Sequence, residues 1–213
     1  MLSATRCIVF DLDGTLVDTL PDIMTHFNAA LVDHGLATRD RDTIAAWVGY
    51  GAEQLVAQAV PNVGLIAPVL ATFRARYHAR PVIESRVYDG LAPVLDALAS
   101  RYQLAVLSNK PHELALQVVE QVCSRWPFAV VAGRRRDRPA KPDPRALRAV
   151  ADELGIDVPQ CVLVGDSEVD IETARATATS VAVSWGMRPL SLLVDAQPDH
   201  LVHTPAELGA LFA

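Results

Sequence analysis

Asp11 and Asp13 lie two residues apart in Phe10-Asp11-Leu12-Asp13-Gly14-Thr15-Leu16-Val17-Asp18. A carboxylate is already ionised at neutral pH, so it can attack an electrophile without a base to activate it. A second carboxylate in a different local environment can carry a proton instead. The preceding run, Cys7-Ile8-Val9-Phe10, is short, rich in β-branched residues and closed by a glycine turn, which predicts a buried strand. Charges at the end of such a strand lie where an open parallel sheet presents its site. Left unpaired there, they would be costly, so a cation or a function must keep them charged. Taken alone, Asp-x-Asp reads better as a strand followed by an acidic turn. Three further clusters give it a chemical context: Ser108-Asn109-Lys110, Lys141-Pro142-Asp143-Pro144 and Gly165-Asp166-Ser167-Glu168-Val169-Asp170.

The elements that must bring these groups together are legible as alternating apolar runs and helical patterns. Strands are predicted at Cys7–Phe10, Leu104–Leu107, Phe128–Ala132, Cys161–Val164 and Val181–Ser184, with a shorter one at His200–Val202. Helices are predicted at Pro111–Ser124, Asp143–Leu154, Asp170–Thr177 and Pro205–Phe212; the second has Asp143 as N-cap, Pro144 in its first turn and Gly155 beyond its end. Strands alternating with helices predict a parallel sheet covered on both faces. No strand-like run lies between Val17 and Arg86. That stretch of roughly seventy residues is too long for a crossover loop. It carries helical patterns at Leu20–His34, Arg41–Val48, Ala52–Ala59 and Gly64–Ala79. The expectation is an α/β, Rossmann-like core from residues 1–16 and 87–213, with an all-helical cap, residues 17–86, inserted above the Asp11 turn as a lid.

Composition narrows the function. The net charge of −6 comes without a charged tail and gives no support for nucleic-acid binding. The basic run Arg134-Arg135-Arg136-Asp137-Arg138 has no interleaved aromatics and reads as a solvated loop. Cys7, Cys123 and Cys161 are odd in number and read as buried thiols. No apolar stretch approaches the ~20 residues of a membrane helix, and no leader pattern opens the chain, so a cytoplasmic protein without a membrane partner is expected. Lys110 and Lys141 are the only lysines.

In order, Asp-Leu-Asp-Gly-Thr-Leu-Val-Asp-Thr, Leu-Ser-Asn-Lys, Lys-Pro-Asp-Pro and Val-Gly-Asp-Ser-x-x-Asp resemble the motifs of the haloacid dehalogenase superfamily. Within it the chain is similar to the phosphoglycolate-phosphatase-like members, whose helical cap follows the first motif. The resemblance implies that Asp11 attacks phosphorus to form an aspartyl-phosphate. Asp13 would then protonate the leaving alkoxide and later deprotonate the hydrolytic water. It implies Lys141 as the charge on the transferring phosphoryl group, with Ser108, Asn109 and adjacent amides supplying hydrogen bonds. It implies Mg²⁺ held by the Asp11 carboxylate, the Asp13 carbonyl and Asp166, with Asp170 behind them orienting a metal-bound water or Lys141. Each residue also has a plainer reading. Ser108 could cap a helix, Lys141 could lie at the surface and Asp166 could cap the helix after it. Asp18 is expected to cap the first cap helix, and Thr15 to orient Asp13 or meet substrate.

Substrate choice is expected from the cap turn Gly49-Tyr50-Gly51, where Tyr50 replaces the small polar residue frequent in similar proteins. The arginine run also departs from their glycine-acidic pattern and offers a cation to an anionic group. Residues 1–109 contain no lysine, which argues against a phosphonoacetaldehyde hydrolase, since that relative needs a cap amine. The second aspartate argues against a dehalogenase. The expected activity is Mg²⁺-dependent hydrolysis of a small phosphorylated metabolite, phosphoglycolate first, by a monomer or homodimer. A capped sugar phosphomutase is the enzymatic alternative. A phospho-accepting signalling domain is the non-enzymatic one, and the seventy-residue insertion speaks against it.

Overall fold

The computed structural model describes residues 4–213; the first three residues of the expected core segment lie outside it. In chain order the elements are β1 (Cys7–Phe10), β2 (Val17–Asp18), α1 (Leu20–Asp33), α2 (Arg41–Trp47), α3 (Ala52–Ala59), α4 (Val63–Ala79), β3 (Arg86–Val87), α5 (Leu91–Ala99), β4 (Gln103–Pro111), α6 (His112–Val122), β5 (Phe128–Arg134), α7 (Arg145–Leu154), β6 (Cys161–Gly165), α8 (Glu168–Ala174), β7 (Thr179–Val183), α9 (Leu190–Asp195), β8 (His200–Val202) and α10 (Pro205–Ala210). Six strands form one sheet in the order β5-β4-β1-β6-β7-β8, with every neighbouring pair parallel. The fold is therefore α/β with a helical cap between β2 and β3.

Period-two alternation assigns each core strand to two buried faces at once. Ile8 and Phe10 of β1, Leu104 and Val106 of β4, and Val162 and Val164 of β6 share one cluster with α5, α6 and α10. Cys7 and Val9, Ala105 and Leu107, and Cys161 and Leu163 share the opposite cluster with α7. This continuous burial is why these strands read as unbroken apolar runs. The three cysteines are buried free thiols within it.

The cap has its own core. Phe27 of α1 meets Phe73 of α4 edge-on at 5.5 Å, and Ile44, Leu55, Val56 and Val69 complete the cluster. Its two connections are stitched together twice. β2 and β3 pair antiparallel, Val17 with Val87 and Asp18 with Arg86. Beyond them Asp22, buried at the start of α1, accepts from the backbone N–H groups of Ile83, Glu84 and Ser85 at 3.0, 2.9 and 2.9 Å, and from the Ser85 hydroxyl.

Several expected boundaries move for identifiable reasons. Asp18 does not cap α1: it belongs to β2, one carboxylate oxygen is buried without a partner, and Thr19 holds the N-cap position. Pro111 pairs with Arg134 as the end of β4, so α6 begins one residue later than expected. Asp143 accepts from the Arg145 N–H at 2.9 Å, and α7 starts at Arg145 instead of Pro144. α8 starts at Glu168, ahead of the expected Asp170, because Asp170 caps it from within the first turn. The short pair β2/β3 and helices α5 and α9 were not anticipated.

Asp22 provides a stability test. Burial alone would raise its carboxyl, but the amides and hydroxyl around it hold it below its ordinary 3.8. Asp22→Ala should cost about 3 kcal/mol in denaturant unfolding by stranding buried donors, and Asp22→Asn less. Because the folded-state pKa is depressed, the wild-type advantage over Asp22→Asn is full above pH 3.8 and fades as pH falls through the depressed value. A pH-independent difference between the two proteins would contradict this.

Candidate active site

β1 sits at the centre of the sheet between β4 and β6, so the residues following all three strands face one another at its carboxyl edge. Asp11 continues the ladder, its N–H donating to the Val164 carbonyl at 2.9 Å. Asp166 follows β6, Ser108 lies in the terminal part of β4, and Lys141 arrives from the loop before α7. All four are buried.

Lys141 Nζ lies 2.9 Å from Asp11 Oδ1 and 2.5 Å from Asp170 Oδ1. Asp170 Oδ2 accepts from the Ser167 N–H at 3.2 Å and the Ser167 hydroxyl at 2.6 Å. One side chain thus caps α8 and steers the lysine. Asp166 Oδ2 accepts from the Met187 N–H at 2.7 Å, and Thr15 donates to Asp166 Oδ1 at 3.3 Å. Thr15 therefore holds Asp166, whereas Asp13 is held by Thr19, whose hydroxyl donates to Asp13 Oδ1 at 2.6 Å.

Oxygens of Asp11, Asp166 and Asp170 lie within 4.8 Å of one another. With one lysine among three carboxylates, two negative charges remain uncompensated. Burial pushes Asp166 up to about 8 and Asp11 up to about 6, the Asp11 shift being opposed by Lys141. Burial would also lower the Lys141 ammonium, but Asp11 and Asp170 outweigh it and keep it charged. Hard oxygen donors with surplus negative charge fit a divalent cation such as Mg²⁺. Two glycines make room for this packing. Gly14 turns the chain at φ 86°, and a Cβ there would meet Asp166 Oδ2 at 2.3 Å. A Cβ on Gly186 would meet the Asp166 Cβ, also at 2.3 Å.

Asp13 faces a different environment. Its carboxylate leaves the acidic cluster and pairs with Lys110 Nζ at 2.9 Å, and the same ammonium donates to the Tyr77 hydroxyl at 2.7 Å. Burial would lower the Lys110 ammonium, yet Asp13 and Tyr77 together hold it above its ordinary value. Tyr77 lies on α4, so the pair also ties core to cap. Lys110, Tyr77 and Thr19 carried no assigned role from sequence, although Lys110 was conspicuous as one of two lysines inside a motif.

Between cap and core a cavity opens onto Asp11, Asp13 and Ser108. Its walls are Ile23, Val48, Leu55, Phe73 and Leu114, with Arg74 as the cap cation and backbone from Gly49 and Gly51. Asn109 borders the cavity, but its side-chain amide is already engaged. Nδ2 donates to the carbonyls of Gly49 and Lys141, both at 2.9 Å, and Oδ1 accepts from the Lys141 N–H at 3.0 Å. It bridges the cap turn to the lysine loop. Tyr50 turns away from the cavity, its hydroxyl donating to Glu168 Oε1 at 3.0 Å. The arginines of residues 134–138 lie along a separate groove, which shares Arg74 and Pro111 with the cavity.

Crowding like charges in a dry site stores instability that substitution releases. Asp166→Asn keeps an acceptor for Met187 and a partner for Thr15 while removing one charge. In EDTA at pH 8, where the burial of charge is most costly, it should raise unfolding stability by about 1 kcal/mol. Equal or lower stability measured by denaturant unfolding would refute the repulsion argument.

The chain matches the haloacid dehalogenase-like hydrolase family over residues 8–184. It is 37% identical over 193 residues to a phosphoglycolate phosphatase of Rhodospirillum rubrum, covering 85% of this chain and 80% of that protein. It is 34% identical over 212 residues to a phosphoglycolate phosphatase of Xanthomonas campestris, covering 95% and 94%. A haloacid dehalogenase-like hydrolase structure from Streptococcus pneumoniae superposes with a TM-score of 0.91 at 25% identity, covering 99% of this chain and 100% of the other. With this fold, and with these motifs meeting at one sheet edge, the chain belongs to the haloacid dehalogenase-like hydrolases and is a phosphatase among them.

Proposed function

We propose that this chain hydrolyses the phosphate monoester of a small anionic metabolite, phosphoglycolate first, through an aspartyl-phosphate on Asp11. The observation that carries the reading is the divergence of two carboxylates two residues apart. Asp11 is paired with Lys141 among the acidic residues, and Asp13 is turned to the cavity and held by Thr19 and Lys110. The names of the similar proteins from Rhodospirillum rubrum and Xanthomonas campestris support phosphoglycolate as substrate.

A free Asp11 oxygen attacks phosphorus, and the bond from phosphorus to the ester oxygen breaks. The departing alkoxide takes a proton from Asp13 and leaves as the alcohol. Asp13, now ionised, takes a proton from water as that water attacks phosphorus, and the bond from phosphorus to Asp11 breaks to release phosphate. Thr19 and Lys110 keep Asp13 pointed at the leaving group through both steps. Lys141 and the Ser108 hydroxyl face the equatorial oxygens, where charge spreads in the transition state. Asp170 fixes Lys141 rather than competing for substrate. Asp11, Asp166 and the Asp13 carbonyl are the groups that would hold Mg²⁺. When bound there, the cation offsets repulsion between Asp11 and the phosphate.

The cavity suits a small ester. Its cap walls are mostly apolar, and the cation at its edge, Arg74, is ion-paired with Glu53, so a carboxylate on the leaving group would share that guanidinium with Glu53. Purified enzyme with Mg²⁺ should release phosphate from phosphoglycolate in preference to hexose phosphates, nucleotides and pyrophosphate, and EDTA should stop it. Asp11→Asn should lower kcat by at least about a thousandfold while unfolding cooperatively. A folded Asp11→Asn protein within tenfold of wild type would exclude the aspartyl-phosphate route. Full activity after verified metal removal would exclude the cation.

A further inference from the structure

We propose that Arg188 is a positioning residue that holds the cap turn Val48–Gly51 closed over the catalytic strand ends. The proposal deepens the phosphatase reading, because it names what keeps that same cavity shut. Arg188 belongs to the core, in the segment between β7 and α9, yet it is buried with only 6% of its surface exposed. A buried guanidinium must place its donors, and here nearly all go to the cap. Nη1 donates to the carbonyls of Ala45 and Ala46 at 2.9 and 2.7 Å, and Nη2 to the Val48 carbonyl at 2.6 Å. These carbonyls belong to the C-terminal end of α2, where orphan acceptors and the negative end of the helix dipole favour a cation. The last turn of α2 contains no basic residue of its own. The core supplies what the cap helix lacks.

The same latch explains two further residues. Arg188 Nε donates to Glu168 Oε2 at 3.1 Å, and the other oxygen of that carboxylate accepts from the Tyr50 hydroxyl. Glu168 therefore grips the cap turn from one side through Tyr50 and anchors Arg188 on the other. Between these grips lies Gly49, whose carbonyl is held by Asn109 and whose missing Cβ would lie 3.2 Å from Arg188 Nη2. The latch also stands on catalytic ground. Met187, its immediate neighbour, donates to Asp166, and Trp185 donates through Nε1 to the Thr15 carbonyl at 3.2 Å. Four acceptors on two elements match a planar fork of donors, and a lysine ammonium cannot span them.

If closure depends on this fork, its loss lowers the population of the closed cap and raises apparent KM, leaving chemistry in the closed state largely intact. The test is hydrogen exchange of the full chain in Mg²⁺ buffer, with steady-state kinetics on phosphoglycolate and on p-nitrophenyl phosphate. For Arg188→Ala, amides of residues 44–51 should exchange at least about tenfold faster while β1 and β6 stay protected. KM for phosphoglycolate should rise at least about tenfold with kcat within about threefold, and Arg188→Lys should recover little of the loss. The generic p-nitrophenyl ester, less dependent on the cap turn, should change less. Exchange in residues 44–51 that matches wild type, or that rises in step with β1 and β6, overturns the proposal. So does a fall in kcat at unchanged KM. Should Arg188→Ala not fold, Glu168→Gln weakens the same latch from its other side, and the same local pattern is required at about threefold. The exchange arm needs no substrate, so a wild type inactive on phosphoglycolate would defeat the substrate reading while still deciding the latch.

Discussion

The rest of the molecule is arranged around one electrostatic problem, three buried carboxylates sharing a single lysine. Asp11, Asp166 and Asp170 have oxygens within 4.8 Å of each other, and Lys141 meets only Asp11 and Asp170 directly. Such a cluster is unfavourable without compensation, since desolvation is repaid only by near-ideal partners. The fold provides them from rigid parts. Asp11 hangs on the central strand, Asp170 is fixed in the first turn of α8 by Ser167, and Asp166 is held by Met187 and Thr15. Glycines at 14 and 186 exist because any side chain there would occupy the carboxylate's own volume. The surplus negative charge of this cluster suits a divalent cation, as the proposed phosphoryl-transfer site would require before substrate arrives.

The second buried ion pair solves a different problem. If Asp13 is the acid and base proposed above, it must exchange a proton while Asp11 does not, and the chain separates the two by sending one side chain to the sheet edge and the other toward the cap. Lys110 and Thr19 fix Asp13 from the core and from the connection into the cap, and Tyr77 adds a contact from α4. On the proposed mechanism, the carboxylate that faces the leaving group is thus positioned partly through a residue of the cap. Two carboxylates with different surroundings can then do different work at one pH.

How far the sequence revealed this depends on which residues carry a periodic or motif signal. The six core strands were legible because both their faces are buried, and the cap helices because α1 and α3 show one apolar face. The two-residue strands β2 and β3 have no periodicity to detect, since they exist only by pairing across the cap. α5 was missed although, at nine residues, it is longer than α2 and α3. At the site, Asp11, Asp13, Ser108, Lys141, Asp166 and Asp170 could be named because motif spacing places them at strand ends. Their partners could not. Thr19 reaches Asp13 only because the chain bends through β2, so Thr15, nearer in sequence, was the natural but different choice. Tyr77 lies in the cap and Arg188 in a loop after the last motif, and nothing local marks a tyrosine or arginine that will be buried against a distant carbonyl or lysine. Asn109 and Tyr50 were both expected at the substrate; Asn109 does border the cavity and Tyr50 does not, and the hydrogen bonds of each go to holding the cap turn.

These commitments bear on how a small substrate can be selected at all. A phosphate is recognised by the core, and the core motifs are common to many esters, so discrimination must come from the leaving-group side. There the walls are largely aliphatic and aromatic, and the charged groups nearest them are already paired, Arg74 with Glu53 and Lys110 with Asp13. An apolar wall distinguishes ligands differing by a methylene only weakly, whereas a buried polar group left unpaired rejects the wrong ligand strongly. If the cap turn closes over the substrate as proposed, selectivity in this chamber depends less on its apolar lining than on whether that closure leaves every polar group satisfied. A leaving group too large to fit beneath Gly49 and Gly51 would hold Val48 and Tyr50 away from Arg188 and Glu168. On the latch proposed above, it would forfeit the hydrogen bonds that the Val48 carbonyl and the Tyr50 hydroxyl make with Arg188 and Glu168. If the cap turn closes as proposed, size exclusion at the substrate would be expressed partly as hydrogen bonding through Val48, a residue that lines the cavity while its carbonyl meets Arg188.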